Sequence, residues 1–118
     1  MTGETLQWTL FQANLDPAAG SEQAGQRPVL VVSNEIMNEA LPIVTVLPLT
    51  SYRLDRRVYS TEVLLPAGAA GQPADSIVMA HQIRTVSKER LRAIYGRLAD
   101  PALRQAIRAA VRLHLDLE

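Results

Sequence analysis

Pro28-Val29-Leu30-Val31-Val32 is a short, unbroken apolar run in which three of the five residues are valine. Aliphatic residues without alternation over so short a length read as a strand covered on both faces. Pro28 suits its first position, where no ladder donor is lost. A second run of the same kind, Ile43-Val44-Thr45-Val46-Leu47, is closed by Pro48. Both runs are expected as buried strands.

On the N-terminal side, residues 8–15 carry apolar side chains at 8, 10, 11, 13 and 15 and end at Asp16-Pro17. The alternation is imperfect, and a half-buried strand is expected. Residues 17–27 form a polar loop with two glycines, long for a hairpin of a small β domain. Between the two central strands, residues 34–41 are polar and read as a loop. Residues 50–61 are a polar connection holding Arg53, Asp55, Arg56 and Arg57. Residues 62–65 read as a strand, and 66–74 as a Gly/Ala/Pro turn. A further strand starts at Ile77-Val78-Met79-Ala80 and continues with alternation through Val86. Ser87-Lys88-Glu89-Arg90-Leu91 looks like a capped helical turn. Residues 93–98 read as a last strand, with Gly96 at a bulge.

The chain closes on a helix. Asp100 is a good N-cap and Pro101 suits the first helical position. Leu103, Ile107, Ala110, Val111 and His114 form one stripe, with His114 expected as a packed histidine. Arg104, Arg108 and Arg112 line another face, expected to be solvated, with a partner or RNA surface as the other reading. About six short strands followed by one helix make a mainly β chain of the small-barrel kind.

The 118 residues suit one domain, 1–118, with 1–7 as an N-terminal extension. Apolar residues make up 47% and charged residues 20%, the composition of a globular chain with its own core. There is no cysteine, which removes disulfides, thiolate metal sites and cysteine nucleophiles. With only His81 and His114, a histidine pair or a histidine-rich metal site is improbable. No stretch approaches the ~18 apolar residues of a membrane helix, and Met1-Thr2-Gly3-Glu4 lacks the start of a secretory signal, so a cytoplasmic protein is expected. The net charge of zero hides a gradient. Residues 1–80 hold four arginines against eight acids, and residues 81–118 hold eight basic groups against four acids. Eleven of the 12 basic residues are arginine, the side chain suited to two-pronged hydrogen bonding with phosphate and carboxylate.

Phosphate-cradling glycine loops, nucleophile elbows and zinc-protease helices are missing. Three polar segments stand at strand ends instead. One is Gly20-Ser21-Glu22-Gln23-Ala24-Gly25-Gln26-Arg27-Pro28, one is Pro48-Leu49-Thr50-Ser51, and one runs from Asp75-Ser76 to His81-Gln82-Ile83-Arg84-Thr85. Turn and cap chemistry would also use such residues.

The run Leu15-Asp16-Pro17, Gly20 to Gly25 and Arg27 to Asn34, with Pro48-Leu49-Thr50-Ser51, Asp75-Ser76 and Gln82-Ile83-Arg84-Thr85-Val86, closely resembles the MazF/PemK toxin family. The order and spacing agree from Trp8 to Leu115. The chain departs from the family's pattern at Trp8-Thr9, where Gly-Asp or Gly-Glu usually opens the first strand, and at Asn14, where aspartate is common. The resemblance implies an SH3-like small barrel of the MazF/PemK/CcdB type with a C-terminal helix, acting as a homodimer. It implies a sequence-specific, metal-independent endoribonuclease that cuts single-stranded RNA to 2′,3′-cyclic phosphate and 5′-hydroxyl ends, without a cofactor. It also implies a cognate MazE-like antitoxin whose tail occupies the RNA groove. Arg27 and Thr50 match the family's catalytic arginine and threonine. Ser21, Glu22, Gln23 and Gln82 match positions lining the RNA groove.

A guanidinium aimed at the five-coordinate phosphorus suits 2′-hydroxyl attack, and a threonine hydroxyl can donate to a phosphate oxygen. Neither is a base near neutral pH, and Glu22 is a candidate only if it faces the 2′-hydroxyl. His81 and Tyr52 are further candidates, for base choice and for stacking. The same fold in CcdB poisons gyrase through a Trp-Gly-Ile terminus, but this chain reads Leu115-Asp116-Leu117-Glu118 at its end. An inactive homologue is the third reading.

Overall fold

The computed structural model describes residues 5–118, so the expectation resting on Met1 to Glu4 lies outside the described residues. The strands are β1 (Thr9–Asn14), β2 (Gln26–Val31), β3 (Ile43–Ser51), β4 (Glu62–Leu65), β5 (Ser76–Met79), β6 (Arg84–Ser87) and β7 (Leu91–Arg97). Helix α1 (Glu35–Ala40) joins β2 to β3, and α2 (Pro101–Leu115) ends the fold. The antiparallel order β4-β5-β3-β2-β1-β7, with β6 also paired to β3, gives an open, barrel-like sheet.

β3 runs through Pro48 instead of stopping there. It pairs with β2 over 46–48 on one edge; on the other it pairs with β6 over 43–46 and with β5 over 49–51. The Val32 N–H donates to the Thr45 carbonyl at 3.0 Å. That sets the ladder phase, so Val29 and Pro48 face each other without exchanging hydrogen bonds. The donor that Pro48 lacks therefore points to the opposite edge, into the gap between β6 and β5. A proline is tolerated there because no ladder bond is lost. β2 likewise starts earlier than expected, at Gln26, with Pro28 opposite Gln12.

The irregular pattern of β1 is two regular ones. Trp8 and Leu10 enter the cluster of Leu30, Leu47, Leu49, Leu65, Val78, Leu98, Ile107 and Ala110, beneath α2. Phe11, Ala13 and Leu15 enter the opposite cluster, with Val29, Val31, Val44, Val46 and Val86. Both faces of the sheet are covered, so the strand needs apolar residues on both. Trp8 itself has φ 68°, a left-handed backbone that bulky side chains rarely adopt, and is only 3% exposed.

Four expectations are corrected. Residues 34–41 hold α1: Asn34 caps it, accepting from the Ile36 N–H at 2.8 Å and the Met37 N–H at 3.3 Å. Its apolar side chains are exposed, so capping builds this helix and no periodic stripe announces it. The strand expected from 77 through 86 is broken by a 3-10 turn, Ala80–Gln82, making seven strands instead of six. His114 is exposed, beyond the last buried turn of α2. Arg104 and Arg108 do not form a simply solvated face, since both stack on Trp8. The caps of α2 are as expected, with Asp100 Oδ1 accepting from the Ala102 N–H at 2.9 Å. Leu6 and Gln7, within the expected extension, donate their N–H groups to the Glu35 carboxylate.

Gly96 does mark a bulge: β1 pairs Leu10 with Gly96 but Phe11 with Ile94, leaving Tyr95 as the extra residue. The 66–74 turn crosses this bulge at close range. A Cβ on Gly96 would lie 2.8 Å from the Ala70 carbonyl oxygen, and one on Gly71 (φ 84°) would lie 2.3 Å from the Tyr95 oxygen. Gly96→Ala is expected to cost about 2–3 kcal/mol in urea unfolding, because the obstructing atoms are backbone.

The long 52–61 connection is tied to β4 by one ion pair. Glu62, with a side chain 1% exposed, accepts both prongs of Arg56, at 3.0 and 2.8 Å, and the Tyr59 N–H at 3.0 Å. Burial acts to raise the Glu62 carboxyl, but these donors prevail and hold it below the usual glutamate range. The pair's stabilisation is therefore complete above the ordinary glutamate pKa of about 4.3 and is lost as pH falls through the lower folded value. Arg56→Ala is expected to cost about 2–3 kcal/mol at neutral pH, and the difference from wild type should shrink in acid unfolding curves below about pH 4.

Candidate functional site

The β2–β3 register builds the first part of the site. Val29 faces Pro48. Beyond that pair, Arg27 near the start of β2 and Thr50 near the end of β3 line the same cavity. On the other edge of β3, Ser51 faces Ser76. These residues line an open cavity of about 230 Å³, together with Gln26, Pro28 and Leu49. Arg27 donates its Nε–H to the Ala24 carbonyl at 3.0 Å, its one hydrogen bond among the described residues. That bond aims the side chain and leaves the terminal nitrogens available. Ser76 is anchored by donating to the Ala74 carbonyl at 2.9 Å.

This arrangement can hold an anion. It offers a guanidinium beside hydroxyl groups, and no carboxylate or imidazole lines the cavity. Such a site can neutralise extra charge on a phosphoryl group and donate hydrogen bonds to it.

The second part is the β1–β2 loop, residues 15–25. Its base is closed by the Leu15 N–H donating to the Gly25 carbonyl and the Gly25 N–H donating to Asp16 Oδ1, both at 2.9 Å. Gly25 has φ 73°, which favours glycine at this closing position. Three side chains from the far side of the sheet then clamp the loop. Arg84 donates to the Leu15 carbonyl at 3.2 Å. Arg90 donates to the carbonyls of Asn14 (3.1 Å) and Asp16. Gln82 donates to the Ser21 carbonyl at 3.1 Å and accepts from the Gln23 N–H at 3.4 Å.

The residues singled out in the sequence thus fall into two groups. Arg27 and Thr50 share the cavity. Ser21, Gln23 and Gln82 are joined in the clamped loop, with the Gln82 amide engaged by loop backbone. Glu22 caps its own loop, its carboxylate accepting from the Ala19 N–H at 3.0 Å, and does not line the cavity. The buried Gln23 Oε1 has no hydrogen-bond partner. His81 is exposed, with Nδ1 3.1 Å from Thr61 Oγ1. Tyr52 is half-buried, and its N–H donates to the Asp75 carbonyl at 3.1 Å.

Sequence reasoning missed Arg90 as part of the site. The available signal was the arginine excess after residue 80, but the carbonyls that Arg90 serves lie more than 70 residues away. In the sequence Ser76 is only part of a polar segment, because its position opposite Ser51 depends on the β3–β5 register.

The chain shows clear relatives. A model of the PemK-like, MazF-like toxins of type II toxin–antitoxin systems matches residues 6–115. Endoribonuclease MazF9 of Mycobacterium tuberculosis is 41% identical over 113 residues, covering 92% of this chain and 93% of that protein. A mycobacterial endoribonuclease solved in complex with its cognate antitoxin superposes with a TM-score of 0.77 at 25% identity, covering 98% of both chains. MazF from Deinococcus radiodurans superposes with a TM-score of 0.77 at 28% identity, covering 94% of this chain and 96% of its own. With a family match across nearly its whole length and the arginine–threonine cavity in a shared fold, the chain belongs to the PemK-like, MazF-like toxins of type II toxin–antitoxin systems.

Proposed function

We propose that this chain is an endoribonuclease toxin that cleaves single-stranded RNA at short sequence motifs, with Arg27 and Thr50 at the reacting phosphate. In this reading the 2′-oxygen attacks phosphorus, the new 2′-O–P bond closes the 2′,3′-cyclic phosphate, and the P–O5′ bond breaks. The 2′-hydroxyl loses its proton and the leaving 5′-oxygen gains one. The Arg27 guanidinium neutralises the extra charge of the five-coordinate state, and the Thr50 hydroxyl donates to a phosphate oxygen. No metal or cofactor has a step in this scheme.

The observation that carries the reading is that Arg27 of β2 and Thr50 of β3 line one open cavity. The clamped loop supports a role for Ser21, Glu22, Gln23 and Gln82 along the RNA path. Splayed single-stranded bases expose edges that amides and carboxylates can read, and the unpaired Gln23 Oε1 is an acceptor available to a base after a small loop movement.

The chain is read as one functional domain, 1–118, acting in the cytoplasm with a MazE-like antitoxin as partner. The antitoxin bound to the mycobacterial relative supports that partner. The described residues contain no helix long and apolar enough to cross a membrane. A homodimer is the proposed assembly. The outer face of β1 and β7 carries an apolar cavity of about 520 Å³, lined by Leu6, Phe11 and Ile94 among others, and Ile94 is 53% exposed.

Arg27→Ala and Thr50→Ala should each lower the rate by about 10²-fold or more on a long RNA in EDTA, read by mapping 5′-hydroxyl ends. Full activity in both variants would remove the assignment. Arg90 acts through the loop and does not touch phosphate. Arg90→Ala should therefore raise KM about tenfold and leave kcat within about threefold, and Arg90→Lys should recover part of the loss. Equal falls in kcat and kcat/KM would instead place Arg90 at the reacting phosphate.

A further inference from the structure

Trp8 holds a left-handed backbone, at φ 68°. A left-handed conformation costs a bulky residue roughly 1–2 kcal/mol, and the buried indole offsets that by filling the space beneath α2. Its ring also carries two cations. The Arg104 guanidinium carbon lies 5.4 Å and that of Arg108 5.1 Å from the ring centroid. Arg104 is further fixed by donating Nε–H to the Leu98 carbonyl at 2.8 Å.

Among the described residues, no carboxylate lies within 4 Å of Arg104, Arg108 or Arg112; the one ion pair found is Arg56–Glu62. Burial lowers the Arg104 pKa from its ordinary value, and the charges of Arg97 and Arg108 lower it further, so these cations repel one another without a counterion. The arginines stand beside a cleft of about 210 Å³ lined by Trp8, Val32, Ile107, Val111, Arg108 and Arg112. The floor is apolar and the rim is cationic. This cleft shares no lining residue with the Arg27–Thr50 cavity.

We propose that the cleft between α2 and the end of β2 is a docking site for an acidic segment of the protein partner, seating an aliphatic or aromatic side chain on Trp8, Val32, Ile107 and Val111 and carboxylates on Arg108 and Arg112. The charge complementarity is specific to this chemistry. Nucleic-acid phosphates would meet the arginines but gain nothing from the apolar floor. A second copy of the chain would bring another set of arginines to the same rim. The proposal rests on the reading of the chain as a toxin with an antitoxin partner, and it adds a contact separate from the RNA groove. The stack on Trp8 holds Arg108 in place before binding, which lowers the ordering cost.

Trp8 is the only tryptophan of the chain, so its emission reports on the cleft directly. The full chain is titrated with a short synthetic helical peptide carrying leucines on one face with glutamates around them. The glutamine version of the peptide, a short single-stranded DNA and the chain itself at rising concentration are run in parallel. The expected result is a saturable shift of Trp8 emission with the glutamate peptide, about tenfold weaker with Arg112→Glu or Arg108→Gln and absent with the glutamine peptide. Arg112 does not stack on Trp8, so its variant tests the rim without loosening the stack.

No shift, an equal shift with the glutamine peptide or an unaltered affinity in both variants would overturn the proposal. So would a shift produced by the DNA or by self-association alone. RNA cleavage by the same preparations separates the two readings. Arg112→Glu should cut RNA at the wild-type rate. A wild-type chain that cuts RNA while Trp8 stays silent would overturn the docking site alone. A chain that binds the peptide but does not cut RNA would support the docking site and overturn the ribonuclease reading.

Discussion

β3 carries hydrogen bonds to three other strands, and the rest of the molecule follows from that. Its first half pairs with β6, its middle with β2 and its end with β5. Only a strand with an interruption on one edge can serve two partners there, and Pro48 supplies it by having no N–H to offer. The handover from β6 to β5 happens at residues 47–48, just before Thr50 and Ser51 leave the core. The pairing of β2 with β3 brings Arg27 and Thr50 to one cavity. Fold and candidate chemistry therefore share a single geometric cause.

The arginine excess has a structural explanation that composition alone could not supply. Arg84 and Arg90 serve main-chain carbonyls of the β1–β2 loop, while Arg56 holds the β3–β4 connection through a buried glutamate. A planar guanidinium with several donors can satisfy two carbonyls or two carboxylate oxygens at once, and an ammonium is poorer at both. Long loops that would otherwise stay mobile are thereby fixed onto the sheet. Arg27 differs: one bond to Ala24 orients it, and its remaining donors are free for a ligand.

The most unusual backbone position, Trp8, lies apart from the cavity lined by Arg27 and Thr50. A strained residue persists when its surroundings over-determine it, and here the apolar cluster under α2 and two stacked arginines do so. Among the described residues, the cationic rim so formed has no carboxylate in ion-pair contact.

The sequence alone determined the two buried valine-rich strands, the capped C-terminal helix and the glycine at the bulge, and its resemblance pointed to Arg27 and Thr50 as candidates. These are local signals: apolar runs, Asp100 before Pro101, or a motif of fixed order. Tertiary structure alone decided that β3 continues through Pro48, since this depends on which edge the missing donor faces. It decided that residues 34–41 form a helix, held by the Asn34 cap without an apolar stripe. It decided that His114 is exposed, because the burial of α2 ends at Ile107 and Ala110, a turn before it. It decided as well that Gln82 and Arg90 hold a loop and that the α2 arginines sit on Trp8. Those contacts join residues some 60 to 100 positions apart, and only chain folding brings such distant groups within hydrogen-bonding or stacking reach.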